Sequence, residues 1–130
     1  MTAKSLALVI GVIFIAVGLL GFIENPIVGT SSNAIFHADQ THNIVHIVSG
    51  VLFVLIALAA PGAAAGLMIL FGLVYLGLGI LGLVTMGKEG MGTLLGFLHV
   101  NGNDNYLHIG LGVIIFLAGV ASRRPRRVTT

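Results

Sequence analysis

The sequence predicts an all-α integral membrane protein, a four-helix bundle made of two like-oriented two-helix repeats. The chain of 130 residues is 57% hydrophobic and 8% charged, and its mean hydropathy of +1.11 excludes a water-soluble domain. Its apolar residues fall into four runs, and its polar residues recur at a fixed offset between the two halves. These three observations support the fold class together.

Four apolar runs predict the transmembrane helices. Each is close to the length of about 20 residues that a helix needs to cross a bilayer, and they cover residues 5–23, 44–60, 63–86 and 106–121. Only Pro61 and Gly62 separate the second run from the third, a pair that ends helices and permits a tight antiparallel turn. The segments 24–41 and 87–103 are rich in Gly, Asn, Ser and Thr, which predicts irregular loops. One membrane domain therefore covers residues 1–130.

The charged residues predict the orientation, because the cytoplasmic flanks of membrane helices retain Lys and Arg. Lys88 lies alone near one surface, whereas the basic residues of the other surface are Lys4, Arg123, Arg124, Arg126 and Arg127. We expect both termini in the cytoplasm, the cell (inner) membrane as the location, and the lipid bilayer as the partner. A net charge of +2 gives no reason to expect nucleic acid. The histidines lie at or near the surface opposite the predicted cytoplasmic one, together with the acids Glu24, Asp39, Glu89 and Asp104.

The two halves of the chain align with each other, which predicts a duplicated two-helix unit. An offset of 62 residues pairs His37 with His99, Asp39 with Asn101, His42 with Asp104, Asn43 with Asn105, His46 with His108, and Gly50 with Gly112. An offset of 61 pairs Gly11, Gly18 and Gly21 with Gly72, Gly79 and Gly82. The units cover about residues 1–61 and 62–130. Because each unit contains two spans, the copies share one orientation, and their histidine-containing ends lie at one level.

Helical spacing places polar side chains on the inner faces of the second and fourth spans. His42 and His46 are one turn apart, and Asp104 and His108 repeat that spacing. Nearby Asp and Asn residues are candidates for helix caps or for partners that fix the imidazole tautomers: Asp39, Asp104, Asn43 and Asn105. The surface at this end therefore contains the candidate site.

These motifs resemble a bacterial family of small four-helix membrane proteins catalogued as a domain of unknown function, the one numbered 4383. The resemblance spans essentially the whole chain and rests on His42-Asn43-Ile44-Val45-His46 with Gly50, on Asp104-Asn105-Tyr106-Leu107-His108, and on Phe97-Leu98-His99-Val100-Asn101. It implies four membrane helices and a location in the bacterial envelope, and it supplies no activity. The family pattern usually has Asn where this chain has Asp39, so no family role is transferred to Asp39.

The first functional hypothesis is a non-enzymatic membrane scaffold or accessory subunit without a cofactor. In this hypothesis, polar residues form a hydrogen-bonded node between helices, and Thr41 and Asp104 cap their helices. The node contains His46, His108, Asn43 and Asn105, with Asp39 and Asn101 as further polar members. Small residues provide the helix-packing faces and allow a homo-oligomer or a larger membrane complex: Gly11, Gly18, Gly21, Gly50, Gly72, Gly79, Gly82 and Gly112.

The alternative hypothesis is a metal- or haem-binding membrane protein. The chain has no cysteine, which excludes thiolate sites. His42, His46, Asp104 and His108 offer nitrogen and oxygen ligands suited to zinc, copper(II), iron or manganese, and His37 and His99 would complete or gate the shell. A variant places a haem between His46 and His108. A proton-linked transporter or sensor is a further hypothesis, based on the titration of histidine near neutral pH.

Overall fold

A computed structural model of the chain describes residues 1–30, 34–88 and 90–123. Within these ranges, four helices form the bundle, and each is long and apolar enough to cross a membrane. They are α1 (Ala3–Leu20), α2 (Gln40–Ala59), α3 (Ala64–Met86) and α4 (Gly102–Ala121). The predicted all-α, multi-pass membrane fold is confirmed.

Polar capping residues start α2 and α4 earlier than the apolar runs predict, at residues 40 and 102 rather than 44 and 106. The Asp39 carboxylate accepts a hydrogen bond from the His42 amide at 2.9 Å. Asn101 and Asp104 form a reciprocal capping box, in which each side chain accepts from the other residue's amide. The N-caps are therefore Asp39, one of the candidate caps, and Asn101. Asp104 helps to cap α4 from its first turn through the capping box, whereas the expectation that Thr41 caps α2 is wrong.

The helices pack closely as two hairpins, α1 with α2 and α3 with α4. A short 3₁₀ turn, Pro61–Ala63, joins α2 to α3 at the end of the bundle where the chain also starts. This turn is the tight connection that the Pro61-Gly62 pair predicts. We call the opposite end, where α1 and α3 end and α2 and α4 begin, the histidine end.

Glycines let the two helices of each hairpin approach closely. A Cβ atom on Gly18 would lie 2.7 Å from the Asn43 carbonyl oxygen, and one on Gly79 would lie 2.6 Å from the Asn105 carbonyl oxygen. All eight glycines of the predicted packing faces lie at such contacts: Gly11, Gly18, Gly21 and Gly50 in the first hairpin, and Gly72, Gly79, Gly82 and Gly112 in the second. Each hairpin therefore depends on small residues for its close backbone contact.

Apolar side chains fill the space between the hairpins. The core is formed by Ala7, Phe14, Phe53, Ala57, Ala64, Met68, Tyr75 and Ile115. Phe53 and Met68 are fully buried. This core lies below the histidine end and holds the two hairpins together by buried apolar surface and close packing.

Short strands shape the two loops at the histidine end. In the first loop, β1 (Val28–Gly29) pairs in parallel with β2 (Phe36–His37). In the second, β3 (Met91–Leu94) and β4 (Leu98–Asn101) form an antiparallel hairpin whose turn places Gly96 at φ 81°. The composition predicts irregular loops and does not reveal this hairpin. Its register matters because it determines the position of the His99 carbonyl group.

Candidate metal centre

Three histidines converge inside the bundle at the histidine end. His42 and His46 come from α2 and His108 from α4, and one ligand nitrogen of each lies within 4.8 Å of the others. His42 and His108 are buried, with 2% and 4% of their surface exposed. His46 is half-buried, but its Nδ1 atom is buried. Two helices from different hairpins therefore bring together three imidazoles.

A backbone carbonyl group orients the His42 imidazole. Its Nδ1 atom lies 2.8 Å from the carbonyl oxygen of His99 in β4. Because a carbonyl oxygen only accepts, Nδ1 carries the proton and Nε2 keeps its lone pair. This arrangement is typical of metal-binding histidines, in which the second ring nitrogen donates to a carbonyl or carboxylate group.

His46 and His108 have buried nitrogens without a partner. The Nδ1 atoms of both rings make no hydrogen bond within the described ranges 1–30, 34–88 and 90–123. A buried polar atom without a partner costs about 1–3 kcal/mol. The cluster therefore has unused coordination or hydrogen-bonding capacity, which a metal ion would use.

Asp104 lies beside the cluster but binds backbone groups. Its Oδ2 atom accepts from the Asn101 amide at 2.7 Å and from the His37 amide at 3.0 Å. These bonds join the start of α4 to strand β2 of the first loop. The structure thus groups three histidines, and the predicted fourth ligand Asp104 is not a member of that group.

His37 and His99 form a separate pair nearer the surface. Their ring centroids are 5.5 Å apart, and the Asp39 carboxylate lies 4.0 Å from Nε2 of His99. Burial lowers the pKa of His37 below its ordinary value of 6.5, and the neighbouring His99 lowers it further, whereas Asp39 acts in the opposite direction. This pair stands above the three-histidine cluster and does not complete it.

Asn43 and Asn105 lie in the hairpin interfaces, against glycines of the neighbouring helix. The Asn43 side chain occupies the space beside Gly21, and the Asn105 side chain occupies the equivalent space beside Gly82. Within the described part of the chain, neither Oδ1 atom has a hydrogen-bond partner. The hydrogen bonds of the predicted polar node are therefore not formed between these residues and the histidines.

Aromatic rings form the floor of the cluster. The Phe14 ring centroid lies 5.7 Å from that of His46, and the Tyr75 centroid lies 5.4 Å from that of His108. Phe14 and Tyr75 are themselves 5.3 Å apart. Both side chains are buried and separate the imidazoles from the apolar middle of the bundle.

An apolar cavity of about 110 Å³ lies in front of the three histidines. Its walls come from α1 and α4, and the first loop covers it at the histidine end. The lining residues are Ile10, Ile13, Phe14, Val17, Val28, Phe36, Ala38, His42, His46, Asp104, Leu107, His108 and Leu111. An ion held by the imidazoles would thus have an open position facing this cavity.

Sequence reasoning misses the contributions of Phe14, Tyr75 and the His99 carbonyl group to the site. Helical spacing reveals which residues share a face of one helix, but it does not reveal how α1 and α3 pack around α2 and α4. The position of Phe14 between Gly11 and Gly18 is the one available signal, since it places this ring on the close-packed face of α1.

A known protein family matches nearly the whole chain. A sequence profile described as a domain of unknown function, DUF4383, matches residues 4–121. No curated protein and no solved structure matches the chain. The match covers all four helices and every histidine of the site, and the chain belongs to the DUF4383 family.

Proposed function

We propose that the chain is a membrane-embedded transition-metal protein, and that His42, His46 and His108 bind the ion. The observation that carries the proposal is the convergence of three imidazoles from two hairpins, with ligand nitrogens within 4.8 Å of one another. Tetrahedral metal–nitrogen bonds of about 2.0–2.1 Å require nitrogens about 3.3–3.5 Å apart. Binding an ion would therefore require the three rings to move their ligand nitrogens closer together than 4.8 Å.

The chemistry of the donors selects the kind of ion. Imidazole without thiolate suits zinc, copper(II) and iron. Neutral imidazoles leave the charge of the ion uncompensated, and the Asp104 carboxyl group, which lines the same cavity, supplies an acidic group beside the histidines. Its hydrogen bonds to two backbone amides hold it in place beside the ion.

A single ion fits the cavity better than a haem. The space in front of the histidines is about 110 Å³, which is too small for a porphyrin. In a haem site His46 and His108 would be the two axial ligands. The His42 ring centroid lies 4.5 Å from that of His46 and 5.7 Å from that of His108, so a third imidazole lies beside these two. The donor set therefore supports an ion with three nitrogen ligands.

The scaffold hypothesis is the second candidate, and the glycine contacts favour it. The same close contact, a glycine Cβ position against an asparagine carbonyl oxygen, occurs in each hairpin at Gly18 and at Gly79. This agreement supports the proposed duplication into units 1–61 and 62–130. A scaffold needs no ion, so metal content separates the two functions.

The proposed orientation places the histidine end on the non-cytoplasmic side of the cell membrane. Lys4 and Arg123 lie at the opposite end, which supports cytoplasmic termini. Arg124, Arg126 and Arg127 lie outside the described residues, as does Glu89. Single-cysteine variants Thr93→Cys and Ser5→Cys test this orientation in intact cells. Only the cysteine of Thr93→Cys should react with a membrane-impermeant maleimide.

Metal analysis of purified protein tests the proposed function. The protein is purified in mild detergent without chelator and through an affinity tag that contains no histidine. We expect about one zinc, copper or iron ion per chain, present on isolation or after incubation with the ion. His46→Ala and His108→Ala should each weaken binding at least tenfold, because each removes one of three ligands.

His99→Ala is the matched control, because this ring lies near the surface and outside the cluster. Its backbone carbonyl group remains available to His42, so metal binding should be unchanged. Wild-type protein that stays metal-free after incubation with all three ions would overturn the metal function and favour the scaffold.

A further inference from the structure

The cavity beside the three histidines is partly open rather than fully enclosed. Ile13 of α1 and Leu107 of α4 line it, and 53% and 38% of their surfaces are exposed. Both residues belong to transmembrane helices, so their exposed surfaces face lipid. We therefore place the opening of the cavity between α1 and α4, on the side of the bundle that faces the hydrocarbon phase.

The first loop closes the cavity toward the aqueous side. Val28 and Ala38 are buried above it, and Phe36 adds an aromatic ring to the same cover. The bond between the His37 amide and the Asp104 carboxylate holds this loop on α4. A molecule that reaches the histidines through the opening thus arrives from lipid rather than from water.

The lining and size of the cavity restrict what enters. Apart from the three histidines and Asp104, every lining residue is apolar, so a charged ligand entering the cavity would lose its hydration against these apolar side chains without compensation. A closed apolar cavity of about 150 Å³ holds one benzene molecule, whereas this cavity measures about 110 Å³. The space suits a neutral molecule with a few heavy atoms.

We propose that this cavity admits a small neutral molecule from the bilayer, and that a single donor atom of this molecule completes the coordination of an ion held by His42, His46 and His108. The inference rests on the proposed function and names the class of ligand that its open position takes. Anions and larger polar molecules from the aqueous phase are excluded by the apolar cover.

Cobalt-substituted protein in lipid nanodiscs tests this inference. Cobalt(II) content is measured first, and the protein is then mixed with ethanethiol, which is neutral and lipid-soluble, or with 2-mercaptoethanesulfonate, which carries the same thiol on an anion. Binding forms a cobalt–sulfur bond and releases the thiol proton to buffer, without a change in oxidation state. We expect ethanethiol to produce a sulfur-to-cobalt charge-transfer band at concentrations at least tenfold lower than the sulfonate.

Two neighbouring substitutions on α1 provide a matched pair. Ile13→Trp places a large ring at the opening, whereas Val12→Trp places the same ring on an adjacent lipid-facing position, 60% exposed, that does not line the cavity. Ile13→Trp should weaken or abolish the ethanethiol band while cobalt content stays at the wild-type level. Val12→Trp should leave both unchanged.

The outcomes distinguish this inference from the proposed function. Protein that binds no cobalt, zinc, copper or iron overturns both. Protein that binds cobalt but responds equally to the two thiols has a site open to water, which overturns the inference alone. An unchanged ethanethiol response in Ile13→Trp would also overturn it.

Discussion

Aligned positions in the two helix hairpins each form a hydrogen bond to the loop of the other hairpin. One of these positions donates its hydrogen bond, and the other accepts it. In the first hairpin, the His42 ring donates to the His99 carbonyl group in the loop of the second hairpin. In the second, the Asp104 carboxylate accepts from the His37 amide in the loop of the first. These four residues correspond pairwise at the offset of 62. Each hairpin therefore holds the other's loop, one through a donor and one through an acceptor.

This difference explains why the cluster contains three histidines. Imidazole has two nitrogens, so His42 donates through Nδ1 and still offers Nε2 to the cluster. Asp104 uses its Oδ2 atom for two backbone amides. Two residues at aligned positions thus share a structural role, while only His42 belongs to the group of converging ligand atoms.

The largest expected effect comes from removing the Asp104 carboxylate, which accepts the hydrogen bond from the His37 amide. Asp104→Ala leaves the amides of His37 and Asn101 without their acceptor, and we expect a loss of about 2–4 kcal/mol in the free energy of unfolding. Asp39→Ala removes a single helix cap and should cost about 1 kcal/mol. Denaturant unfolding in detergent micelles measures both. Equal costs for the two variants would show that the Asp104 bond to the first loop contributes nothing.

Glycine replacement tests whether the two hairpins pack equivalently. Gly18→Ala and Gly79→Ala each introduce a Cβ atom within 2.7 Å of an asparagine carbonyl oxygen, and each should cost about 1–3 kcal/mol. Gly77→Ala is the control, since its Cβ would meet nothing within 4 Å. Unfolding midpoints of the three variants provide the comparison. Tolerance of alanine in one hairpin but not in the other would contradict equivalent packing.

A smaller effect is expected from pH. Burial lowers the pKa of His37 from 6.5, so the folded state prefers its neutral ring. The neutral ring contributes fully to the free energy of unfolding above pH 6.5. This contribution declines as the pH falls from 6.5, the pKa of the unfolded state, toward the lowered pKa of the folded state. The free energy of unfolding of His37→Asn should therefore fall less between pH 7 and about 5 than that of the wild type. Parallel slopes for the two proteins would contradict a role for this ring.

Much of the fold follows from simple rules on membrane sequences. Four apolar runs predict four helices, and the Pro61-Gly62 pair predicts the short turn between hairpins. The starts of α2 and α4 are less predictable from hydropathy. Their first turns consist mainly of polar residues, so an apolar run does not include these helical residues. The pattern of Asp39 and Asn101 before these helices is the better signal, since both side chains cap them.

The candidate site is less predictable than the fold. Spacing places His42 and His46 on one face of a helix, and His108 on the equivalent face of another. It does not show that His37 and His99 lie in a separate layer, or that Asp104 binds backbone amides. Those details depend on the loops, whose short strands determine where the His99 carbonyl group and the His37 amide point.

X-ray absorption spectroscopy of the metal-loaded protein identifies the atoms that coordinate the ion. We expect three imidazole nitrogens at about 2.0–2.1 Å from a zinc or cobalt ion, and fewer imidazoles after His46→Ala or His108→Ala. A metal edge whose fine structure contains only oxygen ligands, or one unchanged in both variants, would contradict a metal centre built from His42, His46 and His108.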